Sequence, residues 1–204
     1  MRHPTTILIA VLLALAPAAA AQESTPPATS LKGKFLVADP SMPDPRFAGT
    51  VIFMIAHSNE GAVGIVINRP GARRPLADLM RAFGLALREG TGAGVELDLY
   101  WGGPVEGDRV LLLHSDEFKA PSTLAVVPGV ALSPPKEALA DIAEGRGPKR
   151  VLLAIGYSGW APGQLERELD RKGWAVIGAG AELLFGPDHA GKWEQAWKMR
   201  AQEL

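Results

Sequence analysis

A nearly all-apolar run at residues 150–156 constrains the fold of this chain more than any other feature of the sequence. A strand with one solvent-facing side alternates apolar and polar residues, whereas a strand covered on both faces is apolar throughout. We therefore expect this run to form the central strand of a sheet that is covered on both sides. The β-prone runs at 50–56 and 62–67 flank a turn-forming segment and should form a hairpin in the same sheet.

Helical patterns alternate with these strands along the chain. Large apolar residues recur at the spacing of one buried helix face between Leu76 and Leu87. This spacing predicts a helix over residues 76–87 that packs on the sheet through Leu79, Met80 and Phe83. Further helices are predicted at 133–145, 164–172 and 189–203, and further strands at 34–38, 95–101, 109–114, 123–127, 174–177 and 182–185. The alternation of both types of element predicts an α/β (α+β) fold.

The composition excludes several classes of site. The chain contains no cysteine, which rules out disulfides, thiolate zinc sites, iron–sulfur clusters and a cysteine nucleophile. Lysine and arginine total 21 against 22 for aspartate and glutamate, which gives a formal net charge of -1 at pH 7. Dedicated nucleic-acid binders carry a basic excess, so this charge balance argues against direct binding to nucleic acid.

The N-terminus has the pattern of a cleavable signal peptide. A short basic start precedes an apolar run at residues 7–16, and small alanines occupy positions 19–21. A membrane anchor is the alternative, but a helix of this length rises only about 15 Å against a hydrocarbon core of about 30 Å. We therefore predict a signal peptide at 1–21, a flexible linker at 22–30 and one folded domain at 31–204, with no membrane span after cleavage.

The sequence contains no complete catalytic or cofactor-binding motif. Ser158 follows the apolar run as the serine of a nucleophile elbow would, but Trp160 stands where an elbow needs a glycine. The histidines lack the spacing of metal ligands, and neither a phosphate-binding loop nor a dinucleotide fingerprint occurs, so we expect no metal and no cofactor. His57 and His114 lie at predicted strand ends, where two imidazoles could transfer protons. An enzyme of unknown reaction is therefore an alternative hypothesis.

Three dense segments, residues 61–70, 102–105 and 156–166, contain more glycine, proline and aromatic residues than ordinary turns need. One interpretation is that they only pack a loop-rich core. Because all three end where strands pass into loops, we predict instead that they converge on one cleft for a small molecule or a polypeptide end. The candidate binding residues are Asn68, Arg69, Gly102, Gly103, His114, Tyr157, Trp160 and Gln164.

Taken together, these motifs resemble those of the YqgE/AlgH family. The matching blocks are Gly-x-Phe-Leu-Val-Ala-x-Pro at 33–40, Gly-Ala-x-Gly-Ile-Val-Ile-Asn-Arg-Pro at 61–70, Gly-Gly-Pro-Val at 102–105 and Gly-Tyr-Ser-Gly-Trp-x-Pro-Gly-Gln-Leu-Glu at 156–166, with Phe47, His57, Leu113 and His114 between them. The resemblance covers essentially all of residues 31–204. It implies a single domain with a mixed, strongly bent, pseudo-barrel-like sheet flanked by helices, and it implies no particular reaction.

The chain departs from the family pattern at two places. The residue before His57 is commonly acidic in relatives, whereas this chain has Ala56, so the pattern supplies no carboxylate to orient the imidazole. Relatives are usually cytoplasmic, whereas residues 1–21 predict a periplasmic or secreted protein. Members of the family are sometimes described as transcriptional regulators, yet no helix-turn-helix pattern occurs in this sequence.

Three classes of function remain open from the sequence. We favour a binding or interaction module with an unknown small-molecule or protein partner, because the distinctive residues are glycines, prolines, aromatics and amides. Such residues shape surfaces rather than transfer protons. An enzyme that uses His57 or His114 and a regulator linked to nucleic acid are the two alternatives.

The location of the mature protein tests the signal-peptide interpretation. If residues 1–21 are removed on export, the protein in the periplasmic or secreted fraction begins at Gln22, which N-terminal sequencing shows directly. Full-length protein confined to the cytoplasm would contradict this interpretation.

Overall fold

The computed structural model describes residues 30–178 and 180–200. The predicted signal peptide, all but the last residue of the predicted linker, and the predicted helical residues 201–203 lie outside the described residues. Export and cleavage therefore stay predictions. Within the described part of the chain, every helix is too short or too polar to cross a membrane.

Ten strands and five helices occur in the described residues. In chain order they are β1 (Phe35–Ala38), β2 (Val51–Ser58), β3 (Gly61–Val66), β4 (Pro70–Pro75), α1 (Leu76–Ala82), β5 (Glu96–Trp101), β6 (Val105–His114), β7 (Leu124–Val127), β8 (Val130–Ser133), α2 (Pro135–Ala143), β9 (Val151–Trp160), α3 (Gln164–Asp170), β10 (Trp174–Ile177), α4 (Ala181–Phe185) and α5 (Lys192–Arg200).

All ten strands belong to one sheet that curls into a half-barrel. The main path runs β10-β1-β2-β3-β9-β6-β8-β7, and the β4–β5 pair joins it through β9. The β5–β9 pair is parallel and the other pairs are antiparallel, so the sheet is mixed, as the resemblance implies. The expected single-domain α+β fold is confirmed, and β9, which pairs with three strands, is its central strand.

Apolar side chains form one cluster on the inner face of the curl and two clusters on the outer face. The inner cluster takes residues from β1, β2, β3, β6, β8 and β9, together with residues from α4 and α5. On the outer face, α3 packs near β1, β2 and β3, while α1 and α2 pack on β6 and β9. The predicted burial of β9 on both faces is confirmed, because Leu152 lies in the inner cluster and Leu153 in an outer one.

Strand β9 bends at Gly156, and the bend changes which residues face inwards. Leu152 and Ala154, before the bend, belong to the inner cluster, and so does Tyr157 after it. Trp160 belongs to the outer cluster, although a regular strand would place it on the same face as Ala154, six residues earlier. Gly156 has a φ of +70°, the left-handed region that favours glycine, and this residue accounts for the change of face.

The turn between β5 and β6 lies directly against this bend. The backbone N–H of Gly102 donates to the carbonyl of Ile155 at 2.8 Å, and the Gly102 carbonyl accepts from the N–H of Val66 at 2.9 Å. A Cβ atom on Gly156 would lie 2.5 Å from the carbonyl oxygen of Gly103. The turn therefore connects β3 to β9 through backbone contacts that leave no room for a side chain.

Two predicted elements differ from the structure. Helix α1 ends at Ala82 rather than near residue 87, because Gly84 follows it in the left-handed region with a φ of +69°. Residues 182–185, which we predicted as a strand, form part of helix α4, and the N–H of Gly186 closes it by donating to the carbonyl of Glu182 at 2.9 Å. The strand prediction is wrong because a short apolar run suits either element.

Two strands were not predicted from the sequence. Strand β4 is exposed along its whole length and has proline at both ends, so it shows no alternation of apolar and polar residues. Strand β8 includes Ser133, the first residue of the helix predicted over 133–145. Pro134 is the N-cap of α2 instead, and the Ser133 hydroxyl bonds to Nε2 of His114 at 2.8 Å.

Lys192 of α5 is an amine buried where three elements meet. It is 2% exposed, and its Nζ donates to the carbonyls of Leu184 in α4 at 2.8 Å and of Ile67, just after β3, at 3.3 Å. Burial lowers the pKa of Lys192 to about 8, against the opposing effect of the Asp188 carboxylate. Since neither acceptor is charged, the ammonium form of this side chain is less favoured in the folded protein than in the unfolded chain.

Replacing Gly156 by alanine tests the close approach at the bend. We expect Gly156→Ala to lower the free energy of unfolding by about 2–5 kcal/mol, because it adds a steric clash to the cost of left-handed backbone. Gly145 has a nearly equal φ of +72° and open space where a Cβ would lie, so Gly145→Ala should cost only about 1–2 kcal/mol. If the two variants lose the same free energy of unfolding in urea denaturation, the close contact with Gly103 does not contribute to the cost, contrary to this prediction.

The buried amine predicts a dependence of stability on pH. The folded state holds Lys192 with a pKa of about 8 against an ordinary value of 10.5, so between these values the unfolded chain binds more protons. The free energy of unfolding should therefore rise by up to about 3 kcal/mol over this range, relative to Lys192→Met. Lys198→Met, on the exposed face of the same helix, is the control and should keep the wild-type profile. A profile for Lys192→Met that matches the wild type would contradict the assignment.

Candidate functional site

An open cleft lies where the end of β9, helix α3, the start of β10 and the loop before β2 meet. Its volume is about 390 Å³. We call it the tryptophan cleft and define it by Phe47, Trp160, Gln164, Glu168 and Trp174, with Arg46, Arg171 and Lys172 at its rim. Two of the sequence-predicted binding residues, Trp160 and Gln164, belong to it.

The carboxylate of Glu168 holds the wall of the tryptophan cleft together. The indole Nε1–H groups of Trp160 and Trp174 both donate to Oε2 of Glu168, at 2.9 Å and 2.8 Å. Nε2 of Gln164 donates to Oε1 at 2.9 Å. Three neutral donors therefore share one carboxylate, which disperses its charge and fixes two tryptophans and a glutamine relative to each other.

Local sequence explains how these side chains meet. Gln164 begins α3, and Glu168 lies four residues later on the same face of that helix. Trp160 is the last residue of β9 and Trp174 the first of β10, so both indoles reach the helix from strand ends. The helix predicted over 164–172 ends at Asp170, and Glu168 faces the cleft from its last turn.

Aromatic rings complete the cleft. The rings of Trp160 and Trp174 meet edge to face, with centroids 6.2 Å apart, and Phe47 meets Trp174 in the same way at 5.8 Å. Trp160 and Trp174 are only 3% and 6% exposed, so the indoles form the base of the cleft while Phe47 remains partly open to solvent. Arg46 covers the ring of Phe47 from 5.7 Å.

The rim of the tryptophan cleft is cationic. Arg46 is paired with Asp44 at 2.6 Å, and its hydrogen bonds hold the pKa of the Asp44 carboxyl below its ordinary value. Arg171 and Lys172 are exposed and form no ion pair with another of the described residues. Two positive charges at the mouth are therefore available to a ligand.

Tyr157 lines a second cavity, on the inner face of the sheet, rather than the tryptophan cleft. Its hydroxyl donates to Oε1 of Glu106 at 3.2 Å, and burial, together with the Glu106 charge, raises the pKa of Tyr157. Tyr157 and Trp160 are three residues apart in β9 and face opposite sides of the sheet, so the expected convergence of all candidate residues on one cleft does not occur.

Four other candidate residues hold the backbone in place. Asn68 accepts from the N–H of Val51 at 2.9 Å and donates to the carbonyl of Gly49 at 2.9 Å, which ties the segment after β3 to the start of β2. Arg69 donates to a carbonyl of the same loop. Gly102 and Gly103 form the turn against β9 described above. A binding role for these residues stays a prediction.

His114 and Ser158 are enclosed in the sheet. His114 is fully buried, with Nδ1 bonded to the Ser115 carbonyl at 2.9 Å and Nε2 to the Ser133 hydroxyl at 2.8 Å. Ser158 lies within β9 rather than in a tight turn, and its hydroxyl donates to the Gly102 carbonyl at 3.3 Å. Neither side chain faces a space in which a substrate could meet it.

His57 has a carboxylate partner that sequence reasoning missed. Nε2 of His57 lies 2.9 Å from Oε1 of Glu166 in α3, although the residue before His57 is Ala56. Nδ1 accepts from the N–H of Leu31 at 3.0 Å, which leaves the proton of the neutral ring on Nε2, facing Glu166. Burial raises the pKa of Glu166, but hydrogen bonds, including the one to His57, outweigh it and lower the pKa overall. Both ring nitrogens are therefore engaged.

No group of three histidine, aspartate or glutamate side chains within residues 30–178 and 180–200 is arranged to bind a metal ion. The tryptophan cleft offers hydrogen-bond donors, aromatic edges and cations instead. Apolar walls with a few polar groups are typical of small-molecule pockets.

Comparisons with known proteins agree with this fold. The sequence model of the AlgH-like family matches residues 35–204. A UPF0301 protein of Methylococcus capsulatus is 42% identical over 166 residues, which cover 81% of this chain and 89% of the relative. A UPF0301 protein of Paracoccus denitrificans is 39% identical over 177 residues, covering 83% and 90%.

Two solved structures have a similar fold. The solution structure of the AlgH protein from Pseudomonas aeruginosa superposes with a TM-score of 0.69 at 36% identity, covering 86% of this chain and 92% of that one. A crystal structure of a protein from Corynebacterium diphtheriae gives a TM-score of 0.65 at 22% identity, covering 85% and 87%. The second similarity supports the fold alone.

Proposed function

The chain belongs to the AlgH-like family, and we propose that it acts as a binding module whose ligand enters the tryptophan cleft. One observation carries this proposal: a single carboxylate, Glu168, fixes Trp160, Trp174 and Gln164 at the wall of an open space of about 390 Å³. A wall that is already ordered loses little conformational entropy when a ligand binds.

The lining of the cleft defines the class of ligand. Phe47 and the neighbouring Met42 and Pro43 supply an apolar surface, while Arg171 and Lys172 place positive charge at the mouth. An aromatic or apolar group that carries a carboxylate satisfies both features. Such a group occurs in free aromatic acids and at the carboxyl terminus of a peptide.

The described geometry gives less support to catalysis. His114 is enclosed, and both nitrogens of His57 are hydrogen-bonded, so proton transfer by His57 would require loss of its bond to Leu31 or to Glu166. A regulatory role through nucleic acid is likewise less favoured, because the formal net charge of the chain is -1.

Titration with 3-phenylpropionate and its neutral amide tests the proposal. The indole N–H resonances of a ¹⁵N-labelled sample report separately on the chain's five tryptophans. We expect the carboxylate to shift the signals of Trp160 and Trp174 in a saturable manner, and the amide to bind about tenfold more weakly because it lacks the charge. Trp197, which stacks on Trp193 in α5, should not respond.

Charge reversal gives the matched control for this titration. Lys172→Glu should weaken binding of 3-phenylpropionate about tenfold, whereas Lys119→Glu, at an exposed lysine outside the cleft, should leave it unchanged. The proposal is wrong if neither compound shifts Trp160 or Trp174, or if both charge reversals have the same effect. A salt-dependent shift of a DNA fragment without any response of the cleft would favour the regulator instead.

A further inference from the structure

The second cavity, on the inner face of the half-barrel, is almost entirely apolar. We call it the barrel groove; its volume is about 250 Å³, and it has no lining residue in common with the tryptophan cleft. Side chains of five strands, β2, β3, β6, β8 and β9, form its floor, and Leu124 of β7 lies at its lip. The residues that define it are Ile55, Val63, Leu111, Leu132, Tyr157 and Leu124.

The groove is open because the sheet does not close into a barrel. Strand β7 is the last strand of the main path and pairs only with β8. The curl brings Val127 of β7 next to Gly33, which precedes β1, and a Cβ atom on this glycine would collide with Val127. Strands β7 and β2, which lie on either side of the groove, nevertheless form no ladder. Both strands are irregular at the groove, β2 around Ile55 and β7 around Val126. The gap between them is lined with hydrocarbon.

Leu124 shows that this gap is exposed to solvent. It is 48% exposed, and it is the one large hydrophobic residue so exposed within the described part of the chain. An exposed apolar groove of this kind is stabilised when a ligand removes its surface from water.

Two cations lie beside the hydrocarbon surface. Lys32, from the segment that enters the domain, and Arg109 of β6 both line the barrel groove. Arg109 donates through Nη1 to Glu106 at 2.8 Å, which leaves its other nitrogens, and the Lys32 ammonium, to interact with an anion. The groove thus combines an apolar surface with two positive charges in its lining, which complements an alkyl chain that ends in a carboxylate.

We propose that the barrel groove binds a medium-chain alkyl carboxylate, with the chain against the inner face of the sheet and the carboxylate at Lys32 and Arg109. A dry apolar cavity of about 150 Å³ takes benzene, so a cavity of this size takes about ten non-hydrogen atoms, which is the size of octanoate. This site is separate from the tryptophan cleft and does not depend on the function proposed for it.

Octanoate itself is the probe, and methyl NMR of isoleucine, leucine and valine is the measurement. Saturable shifts are expected for Ile55, Val63 and Leu132, whether or not the indole signals of Trp160 and Trp174 also respond. Octanol, which has the same chain and no charge, should bind about tenfold more weakly. Shifts confined to the tryptophan cleft would overturn the proposal without affecting the function assigned to that cleft.

Three variants separate the chain contact from the charge contact. Ala125→Phe fills the groove from an exposed position of β7 and should abolish binding while the protein stays folded. Lys32→Glu should weaken binding about tenfold, whereas Lys34→Glu, an exposed lysine two residues away and outside the groove, should have no effect.

Three results would overturn the assignment. These are the absence of saturable octanoate binding by the wild type, unchanged binding by Ala125→Phe, and equal effects of Lys32→Glu and Lys34→Glu. If octanoate fails to bind and an extended apolar peptide shifts the backbone amides of β7 instead, the groove is an edge for strand addition rather than a site for an alkyl carboxylate.

Discussion

The close contact between the Gly102–Gly103 turn and the bend of β9 at Gly156 is the constraint on which the rest of the structure depends. β9 pairs with β5 before the bend, with β3 after it and with β6 on both sides of it, so one strand connects both halves of the sheet. The contact requires glycine because backbone atoms occupy the places of the side chains. Without the bend, the residues of β9 after Gly156 would face the opposite sides of the sheet.

The two cavities lie on opposite faces of β9. Tyr157 faces the inner cluster and lines the barrel groove, whereas Trp160, three residues later, faces outwards and lines the tryptophan cleft. Both cavities have apolar walls and cationic edges, but they differ in how their walls are held. Glu168 orders the tryptophan cleft through hydrogen bonds, while the barrel groove is the gap that remains where the curled sheet fails to close.

Buried polar groups are hydrogen-bonded throughout the described part of the domain. His57 meets Glu166 from another element, His114 meets Ser133 across a strand pair, and Lys192 meets two carbonyl groups. Within the described residues, every buried side-chain nitrogen and oxygen has a hydrogen-bond partner. The partner of His57 lies 109 residues away along the chain, so spacing in the sequence could not identify Glu166. Glu168 was also missed, although Trp160, Gln164 and Trp174 all lie within eight residues of it.

The sequence by itself determined the strands with strong apolar patterns, the central place of β9, the helices at α1, α2, α3 and α5, and the family. These features follow from local periodicity and from sequence motifs, which can be identified without the tertiary structure. Only the tertiary structure decided that residues 182–185 are helical, that β4 and β8 form, and that the candidate binding residues are divided between two faces. The physical reasons differ: a short apolar run such as 182–185 suits either a helix or a strand, whereas strand partners lie far apart in the sequence, where local alternation cannot reveal them.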